Sequence, residues 1–282
     1  MDASAKTNKT IWLMASDKYG SIWSREELIL ALYLYCQIPF AKTKANNPEV
    51  IRLASLLGRT PASVARKLGN FGAFDPLLAS QGISGLAHGG RGDRLVWDEF
   101  YQRWENLVTE AKNLLSQAPI EPLSKKQSGL ASSEEPIISR PTGPTEKQAN
   151  VVVRLGQAFF RRAILSSYEF SCCVCGLEFP SLLTASHICP WAVNEELRVD
   201  PENGLCFCAL HDRAFDRKLL TILPSHKIVI AAEIKRSTRP FTQIVLNNFD
   251  GQKIRLPRRF APRADCLEWH SRHFFQSARD DS

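Results

Sequence analysis

The chain has 282 residues, which is enough for two domains that each bury a hydrophobic core. Its contents of 44% hydrophobic and 23% charged residues are typical of a globular protein. No run of 18 apolar residues predicts a transmembrane helix, so we expect no membrane partner. The net charge of +7 permits a polyanionic partner such as nucleic acid but does not require one.

The cysteines and the N-terminus bear on the compartment. The polar start of the chain, MDASAKTNKT, lacks the apolar region of a secretory signal, so we expect a cytoplasmic protein. Thiols stay reduced in that compartment. The eight cysteines therefore indicate metal binding more than disulfides.

The first predicted elements are three helices. A helix over 25–37 begins after a capping box of Ser24 and Glu27, and its dense apolar residues predict burial on most sides. Asn47-Pro48 opens a second helix, which ends at Gly58. Thr60-Pro61 caps a third helix, which is basic.

This order of helix, glycine-containing turn and basic helix is typical of a helix-turn-helix. In that motif the second helix enters the major groove of DNA. The polar residues of the third predicted helix are three or four apart and share one face. The candidate DNA-binding residues are Ser63, Arg66, Lys67 and Asn70. The alternative is a helical hairpin whose basic side chains are solvated or pack against another domain.

Residues 82–92, GISGLAHGGRG, lack the pattern of a phosphate-binding loop. They predict a mobile loop that either approaches DNA through Arg91 and Arg94 or connects two elements. Helical spacing resumes over 97–115, and residues 116–150 hold five prolines among polar residues, which predicts an extended linker. We therefore predict a helical recognition domain over 1–115 and a second domain over 151–282.

The second domain is predicted to be of mixed secondary structure. A helix over 151–168 carries two basic residues that we count as candidate DNA contacts, Arg161 and Arg162. Farther on, LLTIL and KIVIAA predict paired strands, and residues 244–255 predict a hairpin that turns at Asp250-Gly251. The tail predicts a last helix. The predicted fold class of the chain is α+β.

Potential metal ligands are concentrated in one segment. Six of the eight cysteines lie between Cys172 and Asp216, together with His187, Asn203 and His211. So many sulfur and imidazole groups are difficult to explain as an ordinary core. The segment contains three blocks in order, SHICPW, NGL and HDRAFD.

These blocks, at this spacing, resemble the HNH endonuclease family over residues 154–224, in a subgroup with the signature SHIxPW, NGL and HxxAFD. The N-terminal run GRTPASVARKLGNF is similar to regions that precede the nuclease domain in bacterial restriction endonucleases. The resemblance implies a ββα-metal fold, in which two strands and a helix hold one divalent cation, Mg²⁺ or Mn²⁺. It also implies that His187 is the general base and that Asn203 holds the loop and the His187 backbone in place. This agrees with the chemistry, since phosphodiester hydrolysis needs a base to deprotonate water and a cation to neutralise charge.

The metal ligand on the helix is left open between two residues. The commonest family spacing puts it nine residues after the middle Asn, at Asp212, whereas His211 lies at eight. Either His211 is the catalytic ligand and Asp212 assists, or Asp212 binds Mg²⁺ or Mn²⁺ and His211 has another role. Ser186 stands where the family often has a stronger ligand, which implies a loosely held cation.

The cysteines suggest a second metal site. Many family members carry a structural zinc site built from two CxxC pairs. Cys172 and Cys175 match the first pair, and Cys208 and His211 match the second with His in the last place, which would give a Cys₃His zinc site. The alternative is ordinary packing of buried cysteines. The remaining cysteines of the region are interpreted as packing: Cys173, Cys189, Cys206 and Cys266.

The resemblance implies a metal-dependent endonuclease that hydrolyses double-stranded DNA in a restriction or antiviral defence role. Recognition of modified bases is a hypothesis by analogy. A homodimer is expected because cutting a duplex needs two active sites or two events. The alternative function is a non-catalytic, zinc-containing DNA-binding protein or transcriptional regulator. Two residues discriminate between these functions, because a structural zinc module needs neither His187 nor Asn203.

Overall fold

The computed structural model describes residues 20–83, 89–118, 148–190 and 193–280. The chain divides into two compact units, Met1–Leu155 and Gly156–Ser282. Helices and two small antiparallel sheets give the α+β class that the sequence predicts. Most of the predicted linker (119–147) and the middle of the glycine-rich segment (84–88) lie outside the described residues. Within the described ranges, no helix is long and apolar enough to cross a membrane.

The described part of the N-terminal unit is helical. Its elements are α1 (Arg25–Gln37), α2 (Pro48–Leu57), α3 (Pro61–Gly72), α4 (Pro76–Ser80), α5 (Arg91–Phe100) and α6 (Trp104–Ser116). The helix α1 is buried along nearly its whole length because α2, α3, α5 and α6 all pack against it. Its lack of a polar face in the sequence follows from this central position.

Local signals explain the ends of these helices. Ser24 Oγ accepts a hydrogen bond from the amide of Glu27 at 3.3 Å, and the Glu27 carboxylate accepts from the amide of Ser24 at 2.9 Å. Gly58 ends α2 with a φ of 64°, a left-handed conformation that costs a glycine little. Gln102, with a φ of 63°, divides the helical pattern predicted over 97–115 between α5 and α6.

The C-terminal unit is built around a hairpin and a helix. The helix α7 (Gln148–Ser167) leads into it, and the strands β1 (Leu183–His187) and β2 (Gly204–Cys208) pair antiparallel. The helix α8 (Ala209–Asp216) follows β2 directly. A second pair, β3 (Leu220–Ile222) and β4 (Ile228–Ile230), is followed by three helices, α9 (Ala232–Lys235), α10 (Pro240–Val245) and α11 (Ala264–Asp280).

The helix α7 lies close over the start of β2. A Cβ atom at Gly204 would come within 2.8 Å of Phe160 Cζ and would also collide with the side chain of Ile164. A glycine is therefore needed at this position for α7 to approach the hairpin. Gly204 pairs with His187 across the sheet, so this close approach occurs beside the candidate general base.

The predicted hairpin over 244–255 is wrong. Residues 240–245 form α10, a 3₁₀ turn follows at Asn247–Phe249, and of the hairpin only the turn at Gly251 is found, with a φ of 76°. Pro240 opens α10 at a position that suits proline. Val245, Leu246 and Phe249 all contact the core, and this set, which includes two consecutive residues, suits one face of a helix better than the alternation of a strand.

Candidate functional site

The hairpin and α8 bring the candidate residues of the cysteine-rich segment together. His187 is the last residue of β1, Asn203 immediately precedes β2, and His211 and Asp212 lie in the first turn of α8. Two strands and a helix thus present all four side chains, in the arrangement that the resemblance implies.

The tautomer of His187 follows from its hydrogen bond. Its Nε2 lies 2.8 Å from the carbonyl oxygen of Arg198. A carbonyl can only accept, so Nε2 carries the proton and Nδ1 keeps its lone pair. Burial lowers the pKa of His187, although the bond to Arg198 opposes this, so the neutral ring prevails near pH 7. A neutral imidazole with a free lone pair can accept a proton from water.

An aromatic contact fixes the plane of this ring. Phe160, on α7, stacks on His187 with ring centroids 3.9 Å apart and an interplanar angle of 1°. Sequence reasoning missed Phe160. The only signal was its place on the apolar face of a predicted helix, and its contact depends on α7 crossing the hairpin at Gly204.

The side chain of Asn203 forms hydrogen bonds to the backbone of the segment that follows His187. It is fully buried, and its Nδ2 donates to the carbonyls of Cys189 (2.9 Å) and Leu197 (3.2 Å). Its Oδ1 accepts from the amide of Cys189 at 2.8 Å, and its own carbonyl accepts from the amide of Ile188 at 3.0 Å. These four bonds tie Asn203 to the backbone that follows His187, and its role in the reaction remains a prediction.

Ser186, the residue before His187 on β1, and Asp212 on α8 form a pair of oxygen donors. Ser186 is buried, and its hydroxyl lies near the Asp212 carboxylate. Burial raises the pKa of Asp212, the neighbouring Ser186 hydroxyl lowers it, and the charge of Asp216, one turn later on α8, raises it again. A partly desolvated carboxylate beside a hydroxyl offers the oxygen ligands that Mg²⁺ and Mn²⁺ prefer.

A separate cluster lies around the start of α8. The ligand atoms of four residues all lie within 4.8 Å of one another: Cys172, Cys175, Cys208 and His211. The sulfurs of Cys175 and Cys208 are 3.9 Å apart, and His211 Nδ1 is 3.1 Å from Cys208 Sγ. A tetrahedral zinc ion, with bonds of about 2.3 Å to sulfur and about 2.0 Å to nitrogen, holds its ligands roughly 3.5–3.8 Å apart. The four residues can therefore hold a metal ion.

His211 is oriented toward this cluster. Its Nε2 lies 2.9 Å from the carbonyl oxygen of Val245 on α10 and must donate to it, so Nδ1, which faces the sulfurs, is the nitrogen that is placed to bind a metal ion. Burial alone would lower the pKa of His211, but its contacts with Cys172 and Cys208 raise it to about 10. The neighbouring sulfhydryl donors hold the pKa of Cys208 well below its ordinary value, which favours a thiolate in the cluster.

The cluster falls within a family match. Residues 172–223 match the HNH endonuclease family. The C-terminal unit thus carries an HNH domain, as the sequence predicted, and the match supports a nuclease function. It begins at the first cysteine of the cluster and takes in β1, β2, α8 and β3. A search of curated proteins finds no match to the chain.

The other cysteines of the HNH unit are part of its core. All four are buried, and burial raises the pKa of each thiol, to about 12 for Cys206 and Cys266. Burial also raises the pKa of Cys173 and Cys189. This environment agrees with the interpretation of these residues as packing.

The HNH domain also engages Arg161. Its guanidinium donates to the carbonyls of Leu183 (2.9 Å) and Pro180 (3.4 Å), which holds the start of β1 against α7. Arg162 is half-buried on the same helix. DNA contact by these two arginines remains a prediction.

Outside the HNH domain, the candidate residues of α3 differ in exposure. Arg66 is exposed, and Ser63 lies in the first turn, where its amide donates to Thr60 Oγ1. Lys67 pairs with the buried carboxylate of Asp93 at 2.7 Å. Asn70 is 6% exposed and donates to the same carboxylate at 2.6 Å.

Asp93 therefore links α3 to α5 through two of the predicted DNA-binding residues. The prediction of a shared open face is wrong for Asn70, because a side chain buried in this way cannot reach a base. Arg91 is exposed at the first position of α5. DNA contact by Ser63, Arg66, Lys67 and Arg91 remains a prediction.

Proposed function

We propose that the chain is a metal-dependent endonuclease that hydrolyses DNA phosphodiester bonds, with His187 as general base. The observation that carries the proposal is the hydrogen bond from His187 Nε2 to the Arg198 carbonyl. It leaves the lone pair on Nδ1 at the end of β1, on the residue that follows Ser186, whose hydroxyl lies near Asp212. Such a base has no purpose in a purely structural module.

In the proposed reaction, His187 Nδ1 removes a proton from a water molecule as its oxygen attacks phosphorus. The new P–O bond forms while the bond to the leaving sugar oxygen breaks. The Arg198 carbonyl, which accepts from Nε2, stabilises the imidazolium that results. Phe160 keeps the ring in the plane that this transfer needs.

Asp212 and Ser186 would hold the catalytic cation, Mg²⁺ or Mn²⁺. The pair fits such an ion because one half-buried carboxylate and one hydroxyl are hard oxygen donors. When bound, the cation supplies neutralisation of the charge that develops on the phosphate and the leaving oxygen. We assign Asp212 rather than His211 to this role because both ring nitrogens of His211 are engaged elsewhere, Nδ1 with the sulfurs and Nε2 with Val245.

We further propose that Cys172, Cys175, Cys208 and His211 bind a structural zinc ion. The support is the convergence of their ligand atoms within 4.8 Å and the second hydrogen bond of His211, to Val245, which is typical of a zinc-bound histidine. The purified chain should then contain about one equivalent of zinc by elemental analysis.

The experiment that tests the nuclease proposal is cleavage of plasmid DNA with Mg²⁺ or Mn²⁺ by the parent and by His187→Ala. We expect the variant to lose activity by about 10²–10⁴-fold and to keep its DNA affinity. His273→Ala is a matched control on α11. Cutting by His187→Ala at the parental rate would contradict the assignment, and a parent that binds DNA without cutting it would favour a regulator.

We place this activity in restriction or antiviral defence. In this proposal the N-terminal helical domain (1–115) selects DNA, with recognition of modified bases in the target as a hypothesis. The C-terminal domain (151–282), joined by the linker 116–150, cuts the DNA as a homodimer. The division into two compact units supports this separation of roles. A panel of modified and unmodified DNA of one sequence tests it, and equal cutting of both would end the modification hypothesis.

A further inference from the structure

The surface that carries this inference is the segment 232–250, which contains α9 and α10 and is called the α9–α10 corner below. Phe241 is 70% exposed and Ile244 is 63% exposed, and they lie three residues apart on one face of α10. Large apolar side chains that remain exposed together typically mark a contact site. The exposed basic residues of the corner are Lys235, Arg236 and Arg239.

A hydrogen bond and an ion pair connect the elements of the corner to one another. Asn247 Nδ2 donates to the carbonyl of Ile234 at 3.2 Å, which ties the end of α10 to α9. Lys235 pairs with Asp250 at 2.7 Å. The basic residues that follow α9 and the apolar face of α10 are therefore held in a fixed relation to each other.

The cluster of Cys172, Cys175, Cys208 and His211 contacts this corner through His211. The carbonyl of Val245, the last residue of α10, accepts the hydrogen bond from His211 Nε2. The ring of Phe249 meets the ring of His211 edge to face, with centroids 5.6 Å apart. The position of α10 thus depends on the same histidine that faces the three cysteines.

The charge of this region favours a polyanion. Residues 213–260 contain 11 Lys or Arg and three Asp or Glu, a net charge of +8 in 48 residues, whereas the whole chain carries +7. Two of these lysines, the exposed Lys227 and Lys253, are paired side by side across an isolated bridge. Arg259 is buried, but the exposed basic residues of this segment, together with its exposed apolar side chains, match a nucleic acid, which offers phosphates beside sugars and bases.

We propose that the α9–α10 corner is a DNA-contact surface of the nuclease unit. Arg236 and Arg239 pair with backbone phosphates, and Phe241 and Ile244 pack against sugars and base edges in the groove. The inference rests on the proposed function, because it identifies where the HNH unit holds its substrate.

DNA binding by two double variants tests the surface. In the His187→Ala background, DNA affinity is measured by fluorescence anisotropy over a range of salt concentrations. Arg236→Gln with Arg239→Gln should weaken binding about tenfold and reduce the salt slope by about two. Phe241→Ala with Ile244→Ala should weaken binding about tenfold with an unchanged slope, since no charge is removed.

Exposed residues on α11 provide matched controls. Arg272→Gln and Phe275→Ala remove the same types of side chain outside the corner and should leave DNA affinity unchanged. Circular dichroism and thermal unfolding of each variant establish that it is folded. Parental affinity in both folded corner variants would overturn the inference.

A small substrate separates this inference from the proposed function. Bis(p-nitrophenyl) phosphate reaches the catalytic residues without extended contacts, so corner variants with His187 intact should hydrolyse it at the parental rate and cut dilute DNA about tenfold more slowly. A parent that hydrolyses neither substrate would refute the proposed function. If the parent cuts both substrates and the corner variants cut and bind DNA as well as the parent, the proposed DNA-contact role of the corner is refuted and the proposed function stands.

A second copy of the chain is the competing occupant. If Phe241→Ala with Ile244→Ala converts a dimer to a monomer in analytical ultracentrifugation, and DNA affinity per subunit does not change, the corner is a subunit interface and the DNA proposal is overturned. An unchanged sedimentation coefficient with weakened DNA binding supports the proposal.

Discussion

The stacking of Phe160 on His187 predicts that one buried phenylalanine controls the rate of DNA cleavage. Phe160→Leu keeps an apolar side chain under α7 but removes the flat ring that lies 3.9 Å from the imidazole. Aromatic stacking contributes about 0.5–1.5 kcal/mol beyond burial, and the change of shape costs about as much again. We therefore expect the free energy of unfolding to fall by roughly 1–3 kcal/mol.

The effect on catalysis should be larger than this loss of stability suggests. Without the ring, His187 can rotate about its side-chain bonds, and misplacement of a reacting group by about 1 Å can cost about 10²-fold in rate. We expect kcat on saturating DNA to fall at least about tenfold. The KM for DNA should change little, because Phe160 is 2% exposed and cannot touch the substrate.

Phe159→Leu is the matched control. Phe159 is the neighbouring residue on α7 and is completely buried, so its replacement should cost similar stability. It should leave kcat near the parental value. Chemical denaturation and steady-state cleavage of both variants measure the two effects. An equal loss of kcat in both variants, or no loss in Phe160→Leu, would refute the role of the stacked ring.

Three further predictions concern stability. Cys172→Ser should abolish stoichiometric zinc and lower the melting temperature, and unchanged zinc content by elemental analysis would remove the Cys₃His proposal. Asn203→Ala should lower the free energy of unfolding by about 2–4 kcal/mol, because it leaves the amide and carbonyl of Cys189 buried without their partner. Urea denaturation measures this loss, and a loss below about 1 kcal/mol would contradict the prediction. Burial lowers the pKa of His270 from 6.5 to about 4, so on acidification the unfolded chain binds the proton before the folded chain does. The contribution of this group to stability is therefore complete above pH 6.5. The free energy of unfolding should fall by about 3 kcal/mol as the pH drops to 4. In urea denaturation at pH 7 and pH 4.5, His270→Gln should lose less stability than the parent on acidification, and equal losses would show that other groups dominate.

Local chemistry explains which parts of this fold are predictable from the sequence. The start of α1 and the end of α2 depend on residues within one turn, so the capping box at Ser24 and the glycine at 58 are sufficient to locate them. The family resemblance likewise grouped Cys172, Cys175, Cys208 and His211, with ordinary packing as the alternative, and the ligand atoms of the four residues do converge.

Contacts between distant segments were not predictable in this way. Asn70 has the spacing of an exposed residue on a basic helix, but Asp93 lies 23 positions later and draws it into the core. The hydrogen bond between His211 and Val245 was hidden for a related reason. The apolar residues of 244–255 suit a strand or a helix, and only packing against the cluster decides for α10.

The helix α8 connects the two candidate metal sites. His211 and Asp212 are consecutive, and consecutive helical residues point about 100° apart, so one turn of α8 directs an imidazole to the cysteines and a carboxylate to Ser186. Cys208, a member of the cluster, is also the N-cap residue of this helix. An ion in the cluster would therefore fix where α8 begins and how it is rotated about its axis. Because Asp212 is the residue after His211 on this helix, the cluster would help to set the geometry of the candidate catalytic site without taking part in the chemistry.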